Sequence, residues 1–136
     1  MNSMPAPRTQ AMTSSRAGCP FCSIDTPVIV LQNQLAAVIR DIHPITKWHL
    51  LVIPKRHVAD WFELGAAEVM ACHELLVEAR TMILGQDSEI GGFNIAINSG
   101  RAAGQTVMHA HIHLIARRTA ERRDVRGGGH VFLTPR

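Results

Sequence analysis

The seven residues Met108-His109-Ala110-His111-Ile112-His113-Leu114 alternate strictly between histidine and an apolar side chain. A β-strand repeats its side-chain direction every second residue, so this segment read as a strand sets three imidazoles on one face and Met108, Ala110, Ile112 and Leu114 on the other. At ~3.3 Å of rise per residue, successive histidines stand ~6.6 Å apart, close enough to address adjacent atoms of one ligand. Three imidazoles in a row make a poor core face. The pattern alone is open between catalysis, an exposed strand face and a histidine-rich metal site.

The remaining periodicities supply a frame for that strand. Val28 to Leu31 and Leu35 to Arg40 are short β-rich segments separated by Gln32-Asn33-Gln34, which suits a hairpin turn. His49 to Ile53 is an apolar strand closed by Pro54, which has no ladder N–H to donate. From Ala66 to about Leu84 the apolar positions Val69, Cys72, Leu75, Leu76, Ala79, Met82 and Ile83 recur at spacings of three and four, with Gly85 following as a C-cap. Phe93 to Asn98 and Val107 to Ala116 alternate again, on either side of the glycine-containing loop Gly100 to Thr106. Strands, one long helix, then strands with tight connections predict an α+β domain, an antiparallel sheet of about five strands covered by that helix.

At 136 residues the chain has the length of one domain, and no linker divides residues 19 to 136. Residues 1 to 18 are rich in Pro, Ser and Ala, carry Arg8 and Arg16, and lack the apolar core of a secretory signal; a flexible N-terminal tail is expected. No apolar run approaches the ~20 residues of a membrane helix. Residues 117 to 136 are rich in Arg and Gly with little periodicity, and are expected to be irregular. A net charge of +3 suits an anionic small molecule, whereas no long basic stripe points to nucleic acid. The expectation is a cytoplasmic protein without a membrane or nucleic-acid partner. Its three cysteines, two of them in Cys19-Pro20-Phe21-Cys22, read in a reducing compartment as metal ligands or redox groups before a structural disulfide.

The neighbours of the three histidines favour phosphate chemistry. Gly104-Gln105-Thr106 immediately precedes them and Asn98 ends the adjacent strand, placing amides and a hydroxyl beside the imidazoles, as a cradle for phosphoryl oxygens requires. A metallohydrolase reading of the same histidines would need an open metal site with an activated water and further ligands. A second compact segment, Asp41-Ile42-His43-Pro44 followed by His49-Leu50-Leu51-Val52-Ile53-Pro54-Lys55-Arg56-His57, adds a carboxylate and more histidines.

Together these segments closely resemble the histidine-triad (HIT) superfamily of nucleotide hydrolases and transferases, from about Cys19 to Ala116. The resemblance rests on Asp41 to Pro44, His49 to His57 and Gly-Gln-Thr-Val-Met-His-Ala-His-Ile-His-Leu at Gly104 to Leu114, in that order. It implies that His111 is the nucleophile, forming a nucleotidyl-imidazole intermediate that water hydrolyses. His113, Gln105 and Thr106 match the phosphate-binding positions, with Asn98 in the same cradle, and His49 matches a supporting histidine. Asp41 matches a carboxylate that accepts ribose hydroxyls, and Phe21, Ile24, Ile39 and Ile42 match the lining of the base pocket. Cys19, Cys22, His57 and His109 match a closed structural zinc site, and no cofactor is required for the chemical step. A homodimer joined through its sheets is implied as well.

Trp48 and His43 depart from the family pattern, standing where smaller residues are usual, and both are expected near the nucleotide. Two branches of the family fit. Fhit-like hydrolases cleave dinucleoside polyphosphates and Hint-like hydrolases cleave nucleoside phosphoramidates; both release a nucleoside monophosphate such as AMP. The Arg-Arg ending of the histidine strand is more like the polyphosphate branch, in which Arg117, Arg118, Arg122, Arg123 and Arg126 would meet distal phosphates. A non-catalytic nucleotide- or partner-binding module is the alternative of another class.

Overall fold

A computed structural model describes residues 18–22 and 28–121. The expected N-terminal tail up to residue 17, the base-pocket position Ile24, and Arg122, Arg123 and Arg126 lie outside the described residues.

Five strands form one antiparallel sheet: β1 (Ile29–Gln32), β2 (Ala36–Arg40), β3 (His49–Pro54), β4 (Ile90–Ile97) and β5 (Ile112–Arg118), in the spatial order β1-β2-β3-β5-β4. The single α-helix among the described residues, α1 (Ala66–Gln86), runs between β3 and β4. The predicted α+β architecture is the one observed. Asn33 makes the β1–β2 turn because its side-chain oxygen accepts the amides of Leu35 and Ala36, while its Nδ2 donates to the Ala71 carbonyl and ties the hairpin to the helix.

Two boundaries differ from the periodicity. Helix α1 continues through Gly85 and ends at Asp87, whose amide donates to the Ile83 carbonyl, so Gly85 lies inside the helix and is not its cap. Strand β5 begins at Ile112, not Val107, and runs through Arg117 and Arg118, which the sequence leaves irregular. Period two thus spans a bend as well as a strand. His109 and His111 precede β5 in a segment held to the chain after β3 by the Ala110 amide, which donates to the Val58 carbonyl at 2.8 Å.

The sheet has two different faces. One meets α1: Ala71, Cys72, Leu75, Ala79 and Ile83 pack on Ala36, Val38, Leu50, Val52, Ile112 and Leu114 in the main core. Burial there pushes the Cys72 thiol up to about 11, with the charge of Glu68 adding to the effect, so it is an inert core thiol. The other face carries Ala37, Ile39, Leu51 and Ile53, with Phe21 and Ile29 against them. Ile39 on β2, Leu51 on β3 and His113 on β5 are register partners across this second face. Neighbours in a strand point to opposite faces. Accordingly His49 belongs to the second face, whereas Trp48 turns into the helix-side core and is 5% exposed. Trp48, expected near the nucleotide, therefore lies on the opposite face of the sheet by strand parity; His43 is exposed.

Candidate active site and metal centre

All three histidines of the alternating segment are buried, and each has a ring nitrogen engaged by a partner that restricts its tautomer. His111 Nδ1 lies 2.8 Å from the carbonyl oxygen of His109. A carbonyl only accepts, so the proton sits on Nδ1 and the lone pair of the neutral ring on Nε2. This is the electronic state that a nucleophilic imidazole needs. The Phe21 ring meets the His111 ring at a centroid distance of 5.3 Å and the His109 ring at 5.8 Å, both in T-shaped arrangements.

His113 is ordered from the other side. The amide of Ile45, which can only donate, reaches His49 Nδ1 at 3.0 Å, so a neutral His49 carries its proton on Nε2. That nitrogen lies 2.9 Å from His113 Nδ1 and 3.2 Å from Asp41 Oδ2. With Nδ1 accepting, the neutral His113 ring holds its proton on Nε2. The Asp41 side chain is turned inward: the residue is 6% exposed, and its Oδ1 accepts the His43 amide at 2.9 Å.

The loop before the histidines is built around Gln105. Its Oε1 accepts the Gly100 amide at 2.7 Å, and its Nε2 donates to the carbonyls of Ala59 and Val107 at 2.6 and 2.9 Å. Both amide hydrogens thus organise backbone, in contrast to the phosphate contact implied for Gln105. Gly100 and Gly104 take φ of +93° and +98°, a region that L side chains rarely adopt, which explains glycine at both ends of the short 3-10 turn Arg101–Ala103. Asn98 Nδ2 reaches the Gly104 carbonyl at 3.5 Å, linking the end of β4 to this loop. Thr106 is exposed at the loop's end. Of the base-pocket positions, Ile39 is buried in the second face beside Phe21, and Ile42 is 86% exposed.

Cys19, Cys22, His57 and His109 converge, with their four ligand atoms all within 4.8 Å of one another. The two sulfurs lie 3.4 and 3.6 Å from His109 Nδ1, and Cys22 Sγ lies 3.2 Å from His57 Nδ1. Zinc bonds of ~2.3 Å to sulfur and ~2.0 Å to nitrogen at tetrahedral angles separate ligand atoms by about 3.3 to 3.8 Å, and these three separations suit that ion. His109 Nε2 lies 2.9 Å from the Pro54 carbonyl, which fixes the proton there and leaves Nδ1 as the ligand atom. Burial lowers the pKa of this imidazole, helped by the neighbouring His57 and His111 and opposed by the Pro54 carbonyl, and favours its neutral, metal-binding form. Asp41, His49 and His113 also lie within metal-ligand distance of one another. The Ile45 amide argues against an ion there, since His49 would have to bind it through the nitrogen that carries the proton.

Three backbone groups of this site, the Ile45 amide and the carbonyls of Pro54 and His109, leave no trace in side-chain identity, because every residue type carries the carbonyl and every one but proline the amide. Arg117 and Arg118 sit at the far end of β5, where Arg117 Nε donates to Asn94 Oδ1 and Arg118 pairs with Asp87. About six residues of strand at ~3.3 Å each separate them from His111, too far to serve one substrate's adjoining phosphates.

Comparison with known proteins gives the family. The sequence model of the HIT domain matches residues 24–120. The chain is 36% identical over 109 residues to adenosine 5′-monophosphoramidase hnt1 of Schizosaccharomyces pombe, covering 76% of this chain and 77% of that one. It is also 36% identical over 107 residues to adenylylsulfatase HINT3 of Arabidopsis thaliana, covering 74% of this chain and 52% of the relative. Among solved structures, a zinc-bound histidine triad family protein from Mycobacterium smegmatis superposes with a TM-score of 0.71 at 32% identity, covering 80% of this chain and 81% of that one. With the alternating histidines, the sheet order and the Cys/His cluster in place, the chain belongs to the HIT family.

Proposed function

We propose that this protein hydrolyses a nucleoside 5′-phosphate derivative at its α-phosphorus, releasing a nucleoside monophosphate such as AMP. The observation that carries the reading is the His109 carbonyl on His111 Nδ1, which places the ring's lone pair on Nε2. His111 Nε2 attacks phosphorus; a P–N bond forms, and the bond to the leaving group breaks with its electron pair going to that group. Water then attacks the nucleotidyl-histidine: an O–P bond forms, the P–N bond breaks with its electron pair returning to His111 Nε2, and the proton lost by the water balances the one taken up from solvent by the departing group. His113, with a proton on Nε2, Thr106 and Asn98 meet the phosphate oxygens and stabilise the charge that develops on them. Gln105 holds the loop that presents Thr106. The base rests on the apolar second face beside Phe21, Ile39 and Ile42. Zinc, held by Cys19, Cys22, His57 and His109, would act as a structural cross-link that fixes the Phe21 turn beside the nucleophile.

Two kinds of leaving group remain, an amine or sulfate and a nucleoside polyphosphate. The first has the stronger support. The two enzymes named above cleave a phosphoramidate and an adenylyl sulfate by their names, and Arg117 and Arg118, the basis for a polyphosphate contact, are bonded elsewhere. Wild type and His111→Ala are to be compared on an adenosine phosphoramidate and on diadenosine polyphosphate, with AMP release as the readout. Faster wild-type turnover of the phosphoramidate and its loss in the variant are expected. Nucleotide binding with no His111-dependent turnover of either substrate would leave the binding-module alternative.

We infer a homodimer from the apolar residues on edge strand β4, where Ile95 is 58% exposed. Sedimentation at micromolar concentration should give twice the chain mass, and Ile95→Asp should give a monomer.

A further inference from the structure

Where β3 begins and β5 ends, the surface folds into a cavity of about 490 Å³. One wall is the segment from Ile45 to Trp48, and the other is Ile90 with Ala116 to Arg118. None of the residues assigned above to catalysis, nucleotide or zinc lines it. Arg117 stands six residues beyond His111, roughly 20 Å of strand, so an occupant of the cavity is not the substrate held by His111. The walls are tied together. Thr46 Oγ1 donates to the Ala116 carbonyl at 3.0 Å, the Ala116 amide donates to the Trp48 carbonyl at 2.9 Å, and Ile90 is the register partner of Arg118.

The lining has one sign of charge. Lys47, Arg117 and Arg118 supply three cations, and no carboxylate is among the described residues that line the cavity. Two of the three are held in place, Arg117 Nε donating to Asn94 Oδ1 at 2.8 Å and Arg118 Nη2 to Asp87 Oδ2 at 2.9 Å. Asp87 offsets part of the Arg118 charge, yet the Arg118 side chain remains 40% exposed. Lys47 is exposed and stands 5.5 Å from the ring centre of Trp48.

Cations gathered in a concave site focus the local field on an anion, and a guanidinium fork matches the paired oxygens of a phosphate. Side chains already held by Asn94 and Asp87 lose little freedom when a ligand arrives. A phosphomonoester carries about −1.5 to −2 near neutral pH and matches three cations better than a singly charged carboxylate does. Inorganic phosphate would occupy a small part of this volume, which is of the size of ordinary small-molecule sites; Ile45, Ile90 and Ala116 supply an apolar wall for an organic body.

We propose that this cavity is an accessory binding site for a small organic phosphate. Lys47, Arg117 and Arg118 receive the phosphate group, and Ile45, Ile90 and Ala116 contact the rest of the molecule.

NMR titration of the full chain with AMP, followed at each backbone amide, reads this cavity and the histidine site in one experiment. The amides of Thr46, Ile90 and Arg117 should move with a midpoint separate from that of Gly100, Gly104 and Thr106. In Lys47→Glu the cavity midpoint should rise roughly tenfold or more, while the other stays within about twofold of wild type. Adenosine, which lacks the phosphate, should leave the cavity amides in place. Inorganic phosphate should move them at a midpoint roughly tenfold or more above that of AMP. Cavity amides that stay still, that share the midpoint of the histidine site, or that respond unaltered in Lys47→Glu would overturn the proposal. Adenosine acting as well as AMP would overturn the phosphate contact, and inorganic phosphate acting as well as AMP would overturn the organic one. Each readout is binding and none depends on turnover.

Discussion

The indole N–H of Trp48 donates to Oδ2 of Asp87 across 3.1 Å, so the residue before His49 ties β3 to the residue that caps α1. The indole also lies in the helix-side core, and the guanidinium of Arg40 stands 5.2 Å from its ring centre. Trp48→Ala is expected to cost about 3 to 5 kcal/mol through the cavity and the lost contacts. KM of the folded enzyme should stay near that of wild type, because Trp48 points away from the second face. Chemical denaturation and steady-state kinetics on the same preparation check both halves.

Two carboxylates make stability fall in acid. The Arg56 guanidinium, with Nε and Nη2 at 2.9 and 2.8 Å, holds the Glu68 carboxyl below its ordinary range, aided by the Gly65 amide and opposed by burial. The Glu89 amide does the same for Asp87, with Trp48 and Arg118 adding and burial opposing. A carboxyl whose folded pKa lies below its unfolded one contributes stability above the unfolded value and loses it as pH falls through the folded value. The contribution of these two carboxylates should therefore be constant from neutral pH down to the ordinary carboxylate range and decline below it, on top of a loss that begins earlier, as pH falls through the ordinary imidazole range, because His109 binds its proton more readily unfolded. Glu68→Ala should cost only about 1 kcal/mol, since Arg56 is partly solvated and the helix start keeps its other bonds. A decline of equal size and midpoint in Glu68→Ala would show that this pair does not contribute.

Gln105 accepts one backbone amide and donates to two backbone carbonyls, so Gln105→Ala leaves these groups without their partner. The expected destabilisation is about 1 to 3 kcal/mol. Its kcat should fall as the loop carrying Thr106 relaxes. Gln105→Glu presents an acceptor to the Ala59 and Val107 carbonyls and should fare no better. A thermal melt unchanged in both variants would show that Gln105 is not the organiser of the loop.

Purified without added chelator, the protein should hold one zinc per chain. Cys22→Ser and His109→Ala should each lose it, and Phe21 should then become more accessible to a fluorescence quencher. Unchanged metal content in Cys19→Ala and Cys22→Ala would rule out the site. Metal analysis reads this outcome independently of activity.

The sheet, the long helix and the row of alternating histidines were legible because periodicity and motif spacing are properties of the chain alone. Period two placed His113 on a strand face, and spacings of three and four found α1 almost entire. The same rule overextended β5 to Val107, since alternation in sequence does not require a paired neighbour, and β5 pairs with β3 only from Ile112 onward. The Cys19-Cys22 pair announced two ligands; His57 and His109 entered through family resemblance, and folding brings all four together.

By itself the sequence determined an α+β chain with three alternating histidines, a glycine-bounded loop and a CxxC turn, because local patterning and composition dictate these. Tertiary structure alone decided which nitrogen of each histidine carries the proton, that Gln105 serves the backbone, and that Asp41 faces the histidine pair. The physical reason is common to all three. These outcomes depend on where backbone amides and carbonyls are aimed, from distant segments for Pro54 to His109 and Ala59 to Gln105 and from near neighbours for Ile45 to His49 and His43 to Asp41, and such groups are alike in every residue but proline until the fold aims them.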